Sequence, residues 1–164
     1  MNKIVILCLL LGLLSGCTAS QKPPYGNFAE PSVSVDCQEI AADTVAQLAN
    51  LYPPAKTEFE LKQPTPDTFG IALVQKLRDR GYSIVEFVPE TGNAGNSGQV
   101  SPLPPSNKHA VTTAPLSLNY VFDQFSAPEQ IYRVTAMVEN QSITRPYAME
   151  NGSVVPVGYW MRKE

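Results

Sequence analysis

The chain predicts an α+β fold: a two-layer domain with two helices packed on a mixed four- to five-stranded sheet. Three observations predict it. Two stretches repeat their apolar residues at three and four, the helical spacing. Several others alternate apolar and polar residues, the strand spacing. Finally, strand, helix and strand follow each other with short joins and give way to alternating segments only, so a βαβ unit should precede an antiparallel meander.

The first helix is expected from Asp36, an N-cap residue with Glu39 three positions on in capping-box position. Ile40, Thr44, Val45, Leu48, Leu51 and Tyr52 form its inner face, and Pro53-Pro54 stops it. Lys56–Lys62 alternates, with Thr57, Phe59 and Leu61 on one side and charged residues on the other, a half-exposed strand. Asp67 or Thr68 caps the second helix. Its inner face is Phe69, Ala72, Leu73 and Leu77, and Gly81 is its stop. Tyr82–Val88 is the next strand, expected parallel to the first with a right-handed crossover. Pro89–Pro115 holds three glycines, several prolines and no aromatic residue, and reads as a mobile loop. Beyond it, Leu116, Leu118, Tyr120 and Phe122, then Tyr132, Val134, Ala136 and Val138, mark two strands. Ile143 and Tyr147 share a face of a third. Asn151-Gly152 is a tight-hairpin signal, after which Val154–Met161 should close the meander.

The N-terminus carries the most specific signature. Lys3 precedes an 11-residue apolar run, Ile4–Leu14, followed by Leu14-Ser15-Gly16-Cys17. The run is too short to cross a bilayer, which takes roughly 20 helical residues, and fits the apolar core of a signal peptide. The pattern reads as a lipoprotein cleavage site between Gly16 and Cys17, with Cys17 carrying the lipid. Thr18 follows where an aspartate would suggest inner-membrane retention. The expected location is therefore the outer membrane, with the domain facing the periplasm. The expected organisation is a signal peptide over 1–16, a lipidated flexible tether over 17–34, and the α+β domain over 35–164 with its mobile loop 89–115.

Composition narrows the function. The formal net charge is −3, no basic block occurs, and nucleic-acid binding, which needs a basic face, is disfavoured. His109 is the only histidine and lies in the loop, giving no acid/base pair or triad a fixed partner. No cysteine spacing suits a metal or a redox pair, and the glycines 92, 95 and 98 precede no helix of the phosphate-binding kind. We therefore expect no catalytic residues, no metal and no cofactor. Cys37, the cysteine left after Cys17, is either buried and inert or a site of intermolecular disulfide pairing, and its place at a helix start should lower its pKa. Trp160 with Tyr159 is either an interface anchor or a cap on the core.

Four segments carry a resemblance: LANLYPPAKTEFELK (Leu48–Lys62), FGIALVQKLRDRGYSIVE (Phe69–Glu86), YRVTAMV (Tyr132–Val138) and VVPVGYWMRKE (Val154–Glu164). With the lipidation signal before them, the chain resembles the conjugal transfer lipoproteins of the TrbH type. The resemblance implies a non-enzymatic component of the mating-pair-formation, type IV secretion apparatus, held to the membrane through its N-terminal lipid and partnered by other proteins of that apparatus. It brings no catalytic residues, and Cys17 is the one functional position that maps. The alternative reading is a periplasmic ligand- or glycan-binding lipoprotein acting alone.

Overall fold

A computed structural model of the chain describes residues 24–29, 35–89, 114–125 and 131–164. The expected cleavage and lipidation site at Gly16 and Cys17, His109, and all but the ends of the loop expected over 89–115 lie outside the described residues.

The elements are β1 (Gly26–Asn27), α1 (Cys37–Leu51), a 3-10 turn (Pro54–Lys56), β2 (Glu58–Leu61), α2 (Thr68–Asp79), β3 (Ser83–Val85), β4 (Leu116–Gln124), β5 (Ile131–Val138), β6 (Gln141–Glu150), β7 (Ser153–Pro156) and β8 (Met161–Lys163). Both helices begin as their caps dictate. The Asp36 carboxylate accepts from the Gln38 and Glu39 amides at 2.9 and 3.2 Å, and Asp67 accepts from the Gly70 amide at 2.9 Å. Each such cap is worth about 1 kcal/mol. After α2 the chain turns through Gly81 at φ +95°, a conformation that favours a residue without Cβ.

The sheet order is β3-β2-β4-β5-β6-β7. β2 runs parallel to both β3 and β4, and β4, β5 and β6 form the antiparallel meander. Asn151 and Gly152 both take positive φ in the β6–β7 hairpin, as the dipeptide requires.

The α+β class and the parallel βαβ pair agree with the sequence, but among the described residues the sheet has eight strands rather than four to five. The difference has a physical origin, because six rows hold eight strands. β2 covers β4 only at Leu116–Leu118, since Pro64 cannot donate to a ladder and the chain leaves for α2. β1 takes over the same side of β4, pairing in parallel with Val121 and Phe122. It comes from within the stretch expected to be a tether, where two residues are too few for any alternation to register. The last row is also divided. Tyr147 faces Pro156 and Thr144 faces Met161, so three steps along β6 match five along the edge. The surplus bulges at Gly158, φ +105°, and the single closing strand expected over Val154–Met161 is instead β7 and β8.

Both helices press on one face. Ile40, Val45, Leu48, Phe69, Leu73 and Leu77 meet alternate residues of the strands, including Phe59, Tyr120, Phe122, Tyr132 and Val134. Aromatic rings join the layers. Phe69 stacks on Phe122 at 4.9 Å between centroids, Phe122 on Tyr132 at 5.9 Å, and Tyr120 meets Phe69 edge-on at 5.2 Å. Such contacts add about 0.5–1.5 kcal/mol each to the burial of the rings.

Candidate functional site: a cleft where β2 leaves the sheet

Two polar bridges tie the helices to the sheet. In the first, Asp43 of α1 accepts from the Tyr147 hydroxyl at 2.6 Å and from Arg145 Nη1 at 2.9 and 3.2 Å. Arg145 also donates to the Gly158 carbonyl at 3.0 Å and lies over the Trp160 ring. A cavity of about 170 Å³ between Glu39, Asp43, Tyr147, Val154 and Pro156 opens beside it. In the second, Asp67 accepts from the Tyr120 hydroxyl at 2.5 Å through one oxygen and caps α2 through the other. Gly70 permits this approach, because a Cβ there would lie 2.3 Å from the Tyr120 oxygen. Burial first, then the hydrogen bond to a carboxylate, raises the pKa of both tyrosines, so both donate as neutral hydroxyls throughout the physiological range.

Asp67 also stands on the wall of a larger cleft of about 610 Å³, within the usual size range of ligand sites. Its floor is made where β2 ends. Gln63 is 4% exposed, and its Oε1 accepts from the Tyr120 amide at 2.9 Å, filling the ladder position that β2 vacates before β1 begins. Its side-chain amide also reaches the Tyr120 hydroxyl, and that contact opposes the rise in the tyrosine's pKa. The walls are Tyr25 and Phe28 flanking β1, Pro64 and Pro66, and Phe87 beyond β3. Neither charged residue on the wall is unpaired: Lys62 is bonded to Glu60 at 2.5 Å, and Asp67 is engaged as above.

The sequence-derived candidates fall elsewhere. Cys37 is a free, half-buried thiol whose Sγ lies 3.5 Å from Thr68 Oγ1. Its pKa is raised rather than lowered as its position at a helix start suggested. Burial is the main cause; the Thr68 contact opposes it, and the Asp67 and Asp36 carboxylates add to it. Loss of hydration at the half-buried thiol thus outweighs the helix terminus, and the cap that starts α1 adds a small push in the same direction. Trp160 packs against the core, as a cap on the core would, while Tyr159 is 90% exposed. The cleft itself was missed. Tyr25 and Phe28 are aromatic residues within the stretch expected to be a tether, and only the pairing of β1 with β4 brings them beside Gln63 and Phe87.

Among the described residues, no group of three or more His, Cys, Asp or Glu could hold a metal ion, and no helix is long and apolar enough to cross a membrane. Fold and site together define a two-layer α+β domain with two tyrosine–aspartate bridges between its layers and an apolar cleft where β2 leaves the sheet. The model of the conjugal transfer protein TrbH family matches residues 22–164, and the chain belongs to that family. No curated protein and no solved structure matches it.

Proposed function

We propose that this member of a conjugal transfer family is a lipid-anchored, non-enzymatic component of the transfer apparatus that presents its α+β domain to partner subunits at the outer membrane, in the periplasm. The observation that carries the reading is the tetrapeptide ending in Cys17 immediately ahead of a family domain that starts at residue 22. An acyl chain contributes about 0.8 kcal/mol per buried methylene, so two or more chains at Cys17 hold the domain on the membrane. The polar clusters fit the same reading: Asp43, Arg145, Tyr147, Asp67 and Tyr120 are spent on joining layers.

Cys17→Ala tests the anchor. The variant should accumulate as an unlipidated precursor and leave the outer-membrane fraction. Fractionation with the outer membrane unchanged would overturn the lipid as what holds the protein there. Co-purification from lipid-containing membranes tests the assembly role, for which a stable complex with other transfer proteins is the expected result. The cleft of about 610 Å³ favours a second reading, a ligand- or glycan-binding lipoprotein acting alone. A monomer retaining a small ligand in that experiment would establish it instead.

A further inference from the structure

We propose that β1 is a releasable strap that gives the lipid tether two lengths: seated on β4 it holds the domain close to the membrane, and detached it lets the domain move farther out. The inference rests on the anchored reading above, since without a lipid at Cys17 there is no tether to shorten.

The two lengths follow from where the chain is fastened. Gly26, nine residues after Cys17, is paired with Val121 of β4. An extended chain covers about 3.3–3.6 Å per residue, so the seated strap keeps the sheet within roughly 30 Å of the anchor. With β1 detached, the next fixed point is Asp36 at the start of α1, 19 residues after Cys17, and the limit becomes roughly 65 Å. α1 serves as that point without β1, because its cap is its own: Asp36 holds the Gln38 and Glu39 amides.

Three observations make β1 releasable while the rest of the sheet stays. It has two residues, against nine, eight and ten in β4, β5 and β6, and among the described residues it pairs with β4 alone. Of residues 24–29 none is fully buried and Ala29 alone packs against the core, so the core closes without the strap. Detachment also breaks few bonds. The Phe28 amide leaves the Phe122 carbonyl, 2.7 Å away, and Phe28 stands 43% exposed on the cleft wall, where water replaces that bond as it breaks. Other contacts seat the strap: Tyr25 and Phe28 line the apolar wall with Phe87, and Asn27 Oδ1 accepts from the Ala29 amide at 2.9 Å, closing the end of the strand. An element with so few buried contacts opens well below the free energy of global unfolding.

The test uses the full lipidated chain in phosphatidylethanolamine bilayers. Hydrogen exchange on vesicles should show the Phe28 amide exchanging about 100-fold faster than the amides of β5, which lies between β4 and β6. In a supported bilayer, pulling the domain from Tyr159, which is 90% exposed, should give a reversible first step of up to roughly 35 Å before the domain unfolds, the span of the ten residues from Gly26 to Asp36. Gly26→Ala separates strap from domain. Gly26 has φ +134°, strained for any side chain, and nothing lies within 4 Å of an added Cβ. The variant should speed Phe28 exchange roughly tenfold and lower the force of the first step, with thermal unfolding unchanged. Exchange of Phe28 at the β5 rate, a first step that is unfolding of the whole domain, or a Gly26→Ala variant that lowers the unfolding midpoint without speeding Phe28 exchange would overturn the proposal. If the intact mass shows no lipid on Cys17, the anchored reading falls and this use of β1 with it; with the lipid present and no early step, the strap alone falls.

Discussion

The two tyrosine–aspartate bridges look alike and are built differently. Asp43 and Tyr147 join α1 to β6 with Arg145 as the counter-charge, and Arg145 is itself held by Gly158 and Trp160. Asp67 and Tyr120 join α2 to β4 with no cation, and the second carboxylate oxygen is spent on the helix N-terminus. The first bridge can lose its carboxylate and keep other partners for its guanidinium. The second gives a helix start, a strand and one wall of the cleft to a single carboxylate. Redundancy protects the edge formed by β7 and β8, whereas the end of β2 has none.

Alkali removes both bridges at once and should have the largest effect. Burial raises the hydroxyls of Tyr120, Tyr147 and Tyr82 above their ordinary value, that of Tyr82 to about 12, where it donates to the Tyr52 carbonyl at 2.5 Å. Unfolded tyrosines ionise near pH 10. The stability these groups carry is therefore complete below about pH 10 and is lost as pH rises through their folded values. The urea midpoint should stay level to about pH 9 and then fall, with the phenolate absorbance of the buried tyrosines appearing together with loss of ellipticity. Full titration near pH 10 in a still-folded protein would contradict the bridges.

Substitution then separates them. Asp67→Ala should cost about 3 kcal/mol, combining a lost helix cap with the loss of the charge-assisted hydrogen bond of a fully buried tyrosine hydroxyl. Asp43→Ala should cost about 2 kcal/mol, because Arg145 is partly exposed and retains Gly158 and Trp160. Urea unfolding measures both, and equal costs would remove the distinction drawn between the two regions. Gly70→Ala sharpens it further. Alanine ordinarily favours a helix by about 1 kcal/mol over glycine. Here the Cβ collides with the Tyr120 oxygen, so the net change should be a loss of about 1 kcal/mol. The same substitution in a Tyr120→Phe background should be closer to neutral.

Most of the fold was legible because local rules are enough for it. Asp36 and Asp67 cap the helices as expected, Asn151-Gly152 makes the hairpin, and the alternating residues of β4 and β5 point as their period requires. The cleft was legible only in pieces. Gln63 reads as a polar residue before two prolines, and Tyr25 and Phe28 as stray aromatics in a tether. Their meaning depends on residues 57 and 95 positions away, since Gln63 bonds Tyr120 and Gly26 pairs with Val121 only after β4 has been laid between β2 and β5.

By itself the sequence determined the α+β class, the helix bounds, the parallel βαβ pair and the family to which the chain belongs. It also carries the tetrapeptide ending in Cys17 on which the proposed anchor rests. Each of these follows from neighbouring residues. Only the tertiary structure decided that six rows would hold the eight strands of the described residues, that burial would raise the Cys37 thiol, and that Gln63 would lie on the floor of an apolar cleft. Those features depend on which distant segments share an edge. Composition and periodicity carry no information on that point, because a two-residue strand has no period and a bridge between layers has no local spacing.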